Sequence, residues 1–350
     1  MINTKPLAYF LLSSLLYSCS QDNVKNDEKL TNVTYEDFGE LITLKGEVVN
    51  NDSLGNPHDI YCTDNELIFI DISQDNLVQT YSKDGMTKLS ENVHSGTGPN
   101  ESIICSMLQI LDSQILAYDL MSQSLKAYDR NIFVKQDNVK PIKDIHLKED
   151  AAYILKTRSK DYITMSHAHN ETLLCLYDSL FNRKDISVAY PYLDETSELD
   201  DRALRHHYIH KAYYDEYNDK IVVMYYLADM IDIYDSNLNL LSRVHGPDNY
   251  SPKMIFVNNM YAAKIGKTYQ CICGGYLTQN YIWALYDGNV FTDEDFPVGF
   301  DRIITYDYSG KPKNIYKLDI PILFFCVDEK NRTIYAIANH PDPCIIKFIF

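Results

Sequence analysis

The sequence predicts an all-β protein, a six-bladed β-propeller closed by an N-terminal strand that completes the last blade. Three observations lead to this prediction. A short pattern of strand residues recurs six times along the chain. Tyrosine, which favours half-buried strands, occurs 29 times against a single tryptophan. One strand near the N-terminus belongs to no repeated unit. A pair of all-β sandwiches is the alternative that the same strands leave open.

The repeated pattern is a strand that ends in an aromatic residue, which an aspartate and a polar turn usually follow. The aromatic positions are Tyr81, Tyr128, Tyr177, Tyr234, Tyr306 and Phe348, with intervals of 47, 49, 57, 72 and 42 residues. A period of roughly 40 to 50 residues, made of short strands and turns, is typical of propeller blades with four antiparallel strands. Because such a sheet buries both of its faces against neighbours, the blades are expected to form a closed ring.

The two ends of the chain indicate how the ring closes. The last unit supplies strands at residues 332–337 and 345–350 but no fourth strand. Residues 40–45 have the composition of a strand that lies outside every unit. We therefore predict that residues 40–45 complete the last blade.

The N-terminal residues 1–18 predict a signal peptide. Lys5 precedes an uncharged stretch at residues 7–18, which has the length of a signal-peptide apolar region and is too short to span a bilayer. Leu16, Ser18 and Cys19 resemble a bacterial lipobox, whose cysteine is acylated and becomes the first residue of the mature protein. Residues 19–33 then predict a flexible tether, and residues 34–350 the propeller. An ordinary secretory signal, or a buried cysteine at position 19, is the alternative.

The charge of the chain makes one class of partner unexpected. Its 49 acidic residues outnumber 32 basic ones, which gives a formal net charge of −17. A protein with this charge and no basic stripe repels phosphate backbones, so we do not expect nucleic acid as a partner.

The cysteines and the acidic loops indicate no resident cofactor. Seven cysteines follow Cys19 without the spacing of a disulfide framework or of a metal site, so buried free thiols are expected. The acidic insertion at residues 289–300 is a weak candidate for calcium, because it lacks the ligand spacing of a calcium loop.

The first candidate binding residues belong to loops at one end of the predicted ring. If strands A to D of a blade are ordered from the channel outward, the D-to-A and B-to-C loops share the end at which propellers usually bind. Gly-Thr-Gly-Pro-Asn-Glu at residues 96–101 predicts a D-to-A loop, and residues 55–59 and 245–248 are similar. Duplicated turn residues would produce the same pattern without a ligand. The predicted channel-mouth residues are His58, Asp59, His94, Gly96, Gly98, Pro99, Glu101 and His245.

A long connection predicted at residues 193–208 supplies the second set of candidates. Its acids precede four predicted binding residues: Arg202, Arg205, His206 and His207. A loop of more than roughly 12 residues inside a compact repeat is often functional. The alternative is that the acids form a solvated edge and that the histidines lie at the surface or between blades. His206 and His210 would suit a metal-binding pair on one face of a helix. Residues 208–214 instead predict the next strand, so this spacing does not indicate a metal site.

Several segments together resemble a known family. Residues 57–60, the strand at 67–71 and the strand and turn at 77–85 resemble an NHL-type propeller repeat. With the lipobox, the six units and the loop at 96–101, the chain resembles the TolB-like six-bladed propeller lipoproteins of Bacteroidetes. This resemblance implies a lipid-anchored protein of the cell envelope, on the periplasmic or the surface side of the outer membrane, and it implies no settled reaction.

We therefore expect a membrane-anchored binding scaffold. Its expected partners are the lipid bilayer, through acylated Cys19, and an envelope protein or a small or glycan ligand at the channel mouth. The alternative is a propeller hydrolase, or a lactonase-like enzyme, with a metal in the central channel. Such an enzyme needs at least three acids or histidines from several blades at metal-ligand distance. A rigid spacer without a binding site is a third possibility.

Overall fold

The computed structural model of the protein describes residues 29–50, 54–166, 172–191, 199–292 and 299–350. The predicted signal peptide, Cys19 and the tether up to residue 28 lie outside the described residues. The same holds for Glu195 and Glu198 of the long connection and for the acids at positions 293–295. No helix within the described ranges is long and apolar enough to cross a membrane.

The described residues form three N-terminal strands and six blades. The N-terminal strands are β1 (Leu30–Asn32), β2 (Leu41–Leu44) and β3 (Gly46–Asn50), with a short 3-10 helix (Tyr35–Asp37) after β1. Blade 1 consists of β4 (Pro57–Cys62), β5 (Glu66–Asp71), β6 (Asn76–Ser82) and β7 (Lys88–His94). Blade 2 consists of β8 (Met107–Ile110), β9 (Gln114–Asp119), β10 (Ser124–Asp129) and β11 (Lys143–His146), with helix α1 (Arg130–Phe133) before β11. Blade 3 consists of β12 (Ala151–Lys156), β13 (Tyr162–Ser166), β14 (Thr172–Tyr177) and β15 (Arg183–Ala189).

The second half of the ring follows the same plan with two additions. Helix α2 (Asp201–His207) leads into blade 4, which consists of β16 (His210–Asp215), β17 (Lys220–Tyr225), β18 (Met230–Asp235) and β19 (Leu240–His245). A hairpin of β20 (Met254–Val257) and β21 (Met260–Ala263) follows. Blade 5 consists of β22 (Ile272–Leu277), β23 (Ile282–Tyr286), β24 (Phe300–Tyr306) and β25 (Pro312–Ile322). Blade 6 consists of β26 (Phe324–Asp328), β27 (Thr333–Asn339), β28 (Pro343–Ile349) and the N-terminal β3.

These sheets confirm the predicted six-bladed propeller. Within each blade the strands pair antiparallel in the order A, B, C, D, and the innermost strands contact one another in the sequence β4, β26, β22, β16, β12 and β8. Buried apolar clusters fill the interfaces between neighbouring blades, including the closing interface of blades 6 and 1. The six repeated aromatic residues all lie on strand C of their blade and are buried.

The N-terminal residues 30–50 form a belt along the outer edges of three blades. β1 pairs in parallel with β19 of blade 4, β2 in parallel with β25 of blade 5, and β3 antiparallel with β28 as the fourth strand of blade 6. The prediction that an N-terminal strand completes the last blade is confirmed. Its position at residues 40–45 was wrong, because β2 lies on blade 5 and the following strand closes the ring. The predicted tether to residue 33 was also too long, since residues 30–32 are paired.

The ring has an upper and a lower rim. The upper rim is the end at which strands A and C finish, and it carries the A-to-B and C-to-D loops. The lower rim is the end at which strands B and D finish, and it carries the B-to-C and D-to-A loops. The belt strand β1 runs parallel to β19, and therefore toward the lower rim.

The connection from blade 3 to blade 4 differs from its prediction. The sequence predicted an irregular loop to residue 208, whereas residues 201–207 form α2. The carboxylate of Asp200 caps this helix by accepting a hydrogen bond from the backbone N–H of Ala203 at 2.9 Å. The hairpin of β20 and β21, which the sequence analysis did not assign, contacts α2 and pairs with no other strand of the described residues.

Candidate binding site at the central channel

The channel between the innermost strands contains three cavities in series. The cavity at the upper rim has a volume of about 610 Å³. It shares Ile110, Tyr276 and Leu277 with a middle cavity of about 160 Å³. The middle cavity shares Lys211 and Tyr213 with a lower one of about 180 Å³. The cavity of about 610 Å³ therefore lies at the upper rim, opposite to the end that the sequence favoured.

A polar network crosses the middle of the channel. Nζ of Lys211 on β16 lies 3.2 Å from Oδ2 of Asp59 on β4, and these strands belong to opposite blades of the ring. Oδ2 of Asp59 also accepts a hydrogen bond from the Tyr61 hydroxyl at 2.9 Å. That hydroxyl accepts the backbone N–H of Leu108 in blade 2 at 3.1 Å. The network thus connects three blades across the narrow part of the channel.

Lys211 is charged although it lies deep inside the ring. Burial opposes its charge, but the neighbouring Asp59 carboxylate outweighs burial and raises the pKa of Lys211. Its side chain keeps 46% of its surface exposed because it faces the open channel. The ammonium group also lies 5.4 Å from the ring centre of Tyr213.

Lys211 was not predicted from the sequence, although a signal for it exists. Asp59 and Tyr61 on β4, like Lys211 and Tyr213 on β16, are a charged residue and a tyrosine two positions apart on the first strand of a blade. Residues two apart on a strand share a face. Alignment of the innermost strands of opposite blades would have paired these residues.

The upper cavity is acidic. Its lining includes five acids against two bases, and A-to-B loops of blades 1, 2, 4, 5 and 6 contribute to it. Asp328 is already held by the Lys83 ammonium group at 2.5 Å. Within the described residues, no hydrogen bond or ion pair engages the side chains of Asp64, Asp112 and Lys330. The carboxylates of Asp64 and Asp112 are therefore available to a ligand. The charged lining residues are Asp64, Asp112, Arg130, Glu216, Asp328, Glu329 and Lys330.

Tyr276 forms part of the floor of the upper cavity. Its hydroxyl donates to the carbonyl oxygen of Cys62 at 3.3 Å and lies 3.4 Å from Sγ of the same residue. Burial raises the pKa of Tyr276, so this hydroxyl stays protonated. The described residues contain no group of three His, Cys, Asp or Glu side chains placed to hold a metal ion.

The predicted D-to-A loop at residues 96–101 lies at the lower rim and holds its own glutamate. Oε2 of Glu101 accepts the backbone N–H of Gly98 at 2.6 Å. A Cβ atom on Gly96 would lie 2.1 Å from the same oxygen, so the turn leaves no room for a side chain there. This loop, including Pro99, is a self-contained turn in which the glutamate is engaged.

The predicted histidines of the D-to-A loops do not converge. His58 is exposed, and its ring centre lies 6.4 Å from that of Phe324. Nδ1 of His94 lies 3.3 Å from Oδ1 of Asn76, and Nδ1 of His245 lies 2.8 Å from Oδ1 of Asn249. From this set of predicted residues, Asp59 reaches the cavities of the channel.

The predicted residues on α2 divide into exposed and buried ones. Arg202, Arg205 and His206 line a separate cavity of about 350 Å³ against the hairpin. His207 is buried, and burial with the charge of Lys253 lowers its pKa to about 4. It therefore faces the interior of the protein.

His210 joins blades 3 and 4. Its Nε2 lies 2.9 Å from the hydroxyl oxygen of Tyr153, and its Nδ1 lies 2.9 Å from the carbonyl oxygen of Tyr208. Both ring nitrogens are thus satisfied in the neutral form. Burial lowers the pKa of His210 to about 4.

The ring of six blades, the belt that closes it and the axial channel define a six-bladed propeller protein. The chain belongs to the family described as TolB-like 6-blade propeller-like, whose model matches residues 37–330. The resemblance seen in the sequence is therefore confirmed. No curated protein matches the chain.

Two solved structures are similar in fold. A member of the DUF4221 family from Bacteroides vulgatus superimposes with a TM-score of 0.57 at 10% identity, over 87% of this chain and 96% of that one. A candidate exported protein of Bacteroides fragilis gives a TM-score of 0.54 at 14% identity, over 88% of this chain and 99% of that one. At these identities the likeness concerns the fold alone.

Proposed function

We propose that this protein is a lipid-anchored binding scaffold of the cell envelope that recognises cationic groups at the upper mouth of its channel. The observation that carries the proposal is the contrast between the two parts of the channel. In the middle part, Asp59 and Lys211 form an ion pair with each other. In the upper part, Asp64 and Asp112 present unpaired carboxylates to an open cavity of about 610 Å³.

The chemistry of the mouth favours a ligand with ammonium or guanidinium groups. Five acids lie around one concave surface, and such a surface concentrates cations and repels anions. These acids come from four different blades, so they are fixed by the ring and not by one flexible segment. A basic protein segment and an amino sugar share this chemistry.

The location in the envelope is supported by the sequence and by one relative. The lipobox ending at Cys19 follows an apolar stretch of signal-peptide length. The relative from Bacteroides fragilis is itself described as a candidate exported protein. Acylation of Cys19 would place the propeller at a membrane surface.

Calorimetric titration with a lysine oligopeptide and with a glucosamine oligomer tests recognition at the mouth. We expect at least one probe to bind, and Asp64→Asn together with Asp112→Asn to weaken binding about fivefold to tenfold, as for loss of a charged hydrogen bond. Asp84→Asn is the matched control, because this exposed acid lies in a C-to-D loop of the same rim outside the cavity. Binding that the paired substitution leaves unchanged rejects the site, and cleavage of a probe rejects the scaffold in favour of the hydrolase.

The anchor is tested by metabolic labelling of cells that express Cys19→Ser. We expect this variant to lose metabolic labelling by a fatty-acid analogue, while the neighbouring Ser20→Ala keeps it. Labelling that persists in Cys19→Ser rejects the assignment of the lipid to this residue.

A further inference from the structure

One segment of this acidic chain contains no acid. Residues 249–286 are 38 consecutive positions without Asp or Glu, in a sequence with 49 acids, and they include Lys253, Lys264 and Lys267. The segment contains the hairpin of β20 and β21, which projects from the lower rim between blades 4 and 5. The charge of this segment is therefore opposite in sign to that of the whole protein.

The hairpin exposes large apolar side chains. Phe256 keeps 54% of its surface exposed, Val257 48%, Met260 65%, and Ile265, just after the hairpin, 49%. Asn258 and Asn259 form the turn between the strands, so the apolar residues lie at and beside the tip. Because β20 and β21 pair with no blade, this exposure is not the edge of a larger buried sheet.

Basic residues surround the base of the same hairpin. The backbone N–H of Lys264 donates to the carbonyl oxygen of Lys253 at 2.7 Å, which sets these two lysines opposite each other just below the strands. Arg202 and Arg205 of α2 line one cavity together with Met260 and Tyr261. An apolar tip above a basic base is the arrangement of elements that lie in the interface of an anionic bilayer.

We propose that the hairpin docks on an anionic lipid surface and orients the propeller with its lower rim toward the membrane. The proposal deepens the proposed function in the cell envelope. The biological setting of the docking rests on that proposed function, whereas the binding of the hairpin to lipid does not. An acidic protein segment is the competing occupant. The bilayer is favoured because Phe256 and Val257 are exposed at the tip and do not line the cavity that Met260 borders.

The position of the anchor is compatible with this orientation. The chain joins the propeller at β1, which lies on β19, the strand that leads into the hairpin. The ten residue-to-residue steps from Cys19 to Lys29 span at most about 35 Å when extended. A six-residue strand such as β19 is about 20 Å long. The tether is therefore long enough to reach the lower rim along the edge of blade 4.

Fluorescence quenching by brominated lipids tests whether the tip enters the bilayer. The mature chain carrying Cys19→Ser, which has no acyl group, is mixed with phosphatidylcholine vesicles with and without phosphatidylglycerol. Phe256→Trp reports on the tip, because the native Trp283 is buried. Leu180→Trp is the control, since Leu180 is 77% exposed in a C-to-D turn at the upper rim. We expect quenching of the tip reporter only, and only with phosphatidylglycerol.

Vesicle flotation with further variants separates the charge from the apolar contribution. Lys253→Gln and Lys264→Gln are each expected to weaken binding to anionic vesicles about fivefold. Phe256→Ser with Met260→Ser is expected to abolish flotation with anionic vesicles, whereas Leu180→Ser leaves flotation unchanged. Flotation that does not depend on phosphatidylglycerol, or equal quenching at both reporters, overturns the proposal. Binding of polyglutamate without binding of vesicles assigns the hairpin to an acidic protein partner instead. Labelling of Cys19 is measured separately, so failure of docking and failure of the anchor are distinguishable.

Discussion

Asp229 is a buried carboxylate at the lower rim, in the B-to-C loop of blade 4. Its Oδ2 accepts the backbone N–H groups of Asp248 at 2.8 Å and Asn249 at 3.0 Å. Oδ2 of Asp248 in turn accepts the hydroxyls of Tyr35 in the belt, at 2.8 Å, and of Tyr286 in blade 5, at 2.7 Å. Burial, with the nearby charge of Asp248, raises the pKa of Asp229 to about 6. Asp229 thus titrates at the place where blade 4, blade 5 and the belt meet.

The titration of Asp229 predicts a pH dependence of stability. Its pKa is raised from 3.8, so the folded state holds the proton more tightly and this contribution is lost as the pH rises toward 6. His207 and His210 act in the opposite sense, because their pKa values fall from 6.5 to about 4 and the unfolded chain binds protons between these values. For these three groups together, the two histidines outweigh Asp229, so their combined contribution to the free energy of unfolding rises from pH 4 to 6.5.

Asp229→Asn removes the opposing contribution of the aspartate. We expect the rise in the free energy of unfolding between pH 4 and 6.5 to become steeper in this variant, by about 2 kcal/mol over the interval. Urea unfolding at a series of pH values measures it, with Asp84→Asn as the control for an exposed acid. Parallel curves for Asp229→Asn and the wild type would contradict the assignment of the raised pKa to Asp229.

Among the elements, β3 is the strand on which closure of the ring depends. Gly46 lies where β3 crosses β28, and a Cβ atom there would lie 2.7 Å from Cγ2 of Ile346 and 2.8 Å from Cε1 of Phe348. Both neighbours are fully buried in the interface of blades 5 and 6. The strand therefore depends on this one glycine to reach hydrogen-bonding distance from the last blade.

Gly46→Val tests closure by the belt. Overpacking against Ile346 and Phe348 is expected to cost roughly 1–3 kcal/mol of unfolding free energy and to speed amide exchange in β27 and β28. Glu47→Val is the control, because Glu47 is exposed on the same strand and a β-branched residue suits a strand. Equal exchange in blade 6 of both variants would show that β3 is dispensable for closure.

The elements also show which features the sequence could predict. Strand C was recognisable because its buried aromatic residue is followed by an aspartate that forms the next turn. Oδ1 of Asp178 accepts the N–H groups of Leu180 and Asn182, and Oδ1 of Asp235 those of Asn237 and Asn239. One local interaction thus produces the repeat in the sequence.

Other elements had no such local signal. Closure by β3 instead of residues 40–45 depends on the contact of Gly46 with the distant Ile346. The N-cap of α2 at Asp200 could have been predicted from the sequence, but the acidic residues before it favoured a loop. The channel pair of Asp59 and Lys211 arises from opposite blades 152 positions apart, a relation set only by the closed ring.

At the scale of the whole molecule, charge is distributed unevenly between the two rims. The acidic mouth lies at the upper rim and the basic hairpin at the lower rim, within a chain of net charge −17. If the hairpin faces the bilayer, the mouth faces away from it and stays accessible to a partner. The remaining acids then repel an anionic surface over a distance that the ionic strength controls.

This balance predicts that vesicle binding of the unacylated chain passes through a maximum with salt. The screening length is about 30 Å at 0.01 M, so at this ionic strength the net negative charge of the molecule opposes approach. At about 0.15 M the length falls to about 8 Å, which screens the distant acids but leaves Lys253 and Lys264 attracted to the surface that they touch. At about 1 M the length is about 3 Å and this attraction is lost as well. Flotation with phosphatidylglycerol vesicles across this range measures the effect, and Lys253→Gln with Lys264→Gln should flatten the maximum. A steady decrease of binding from the lowest salt upward would mean that repulsion by the rest of the molecule does not reach the membrane.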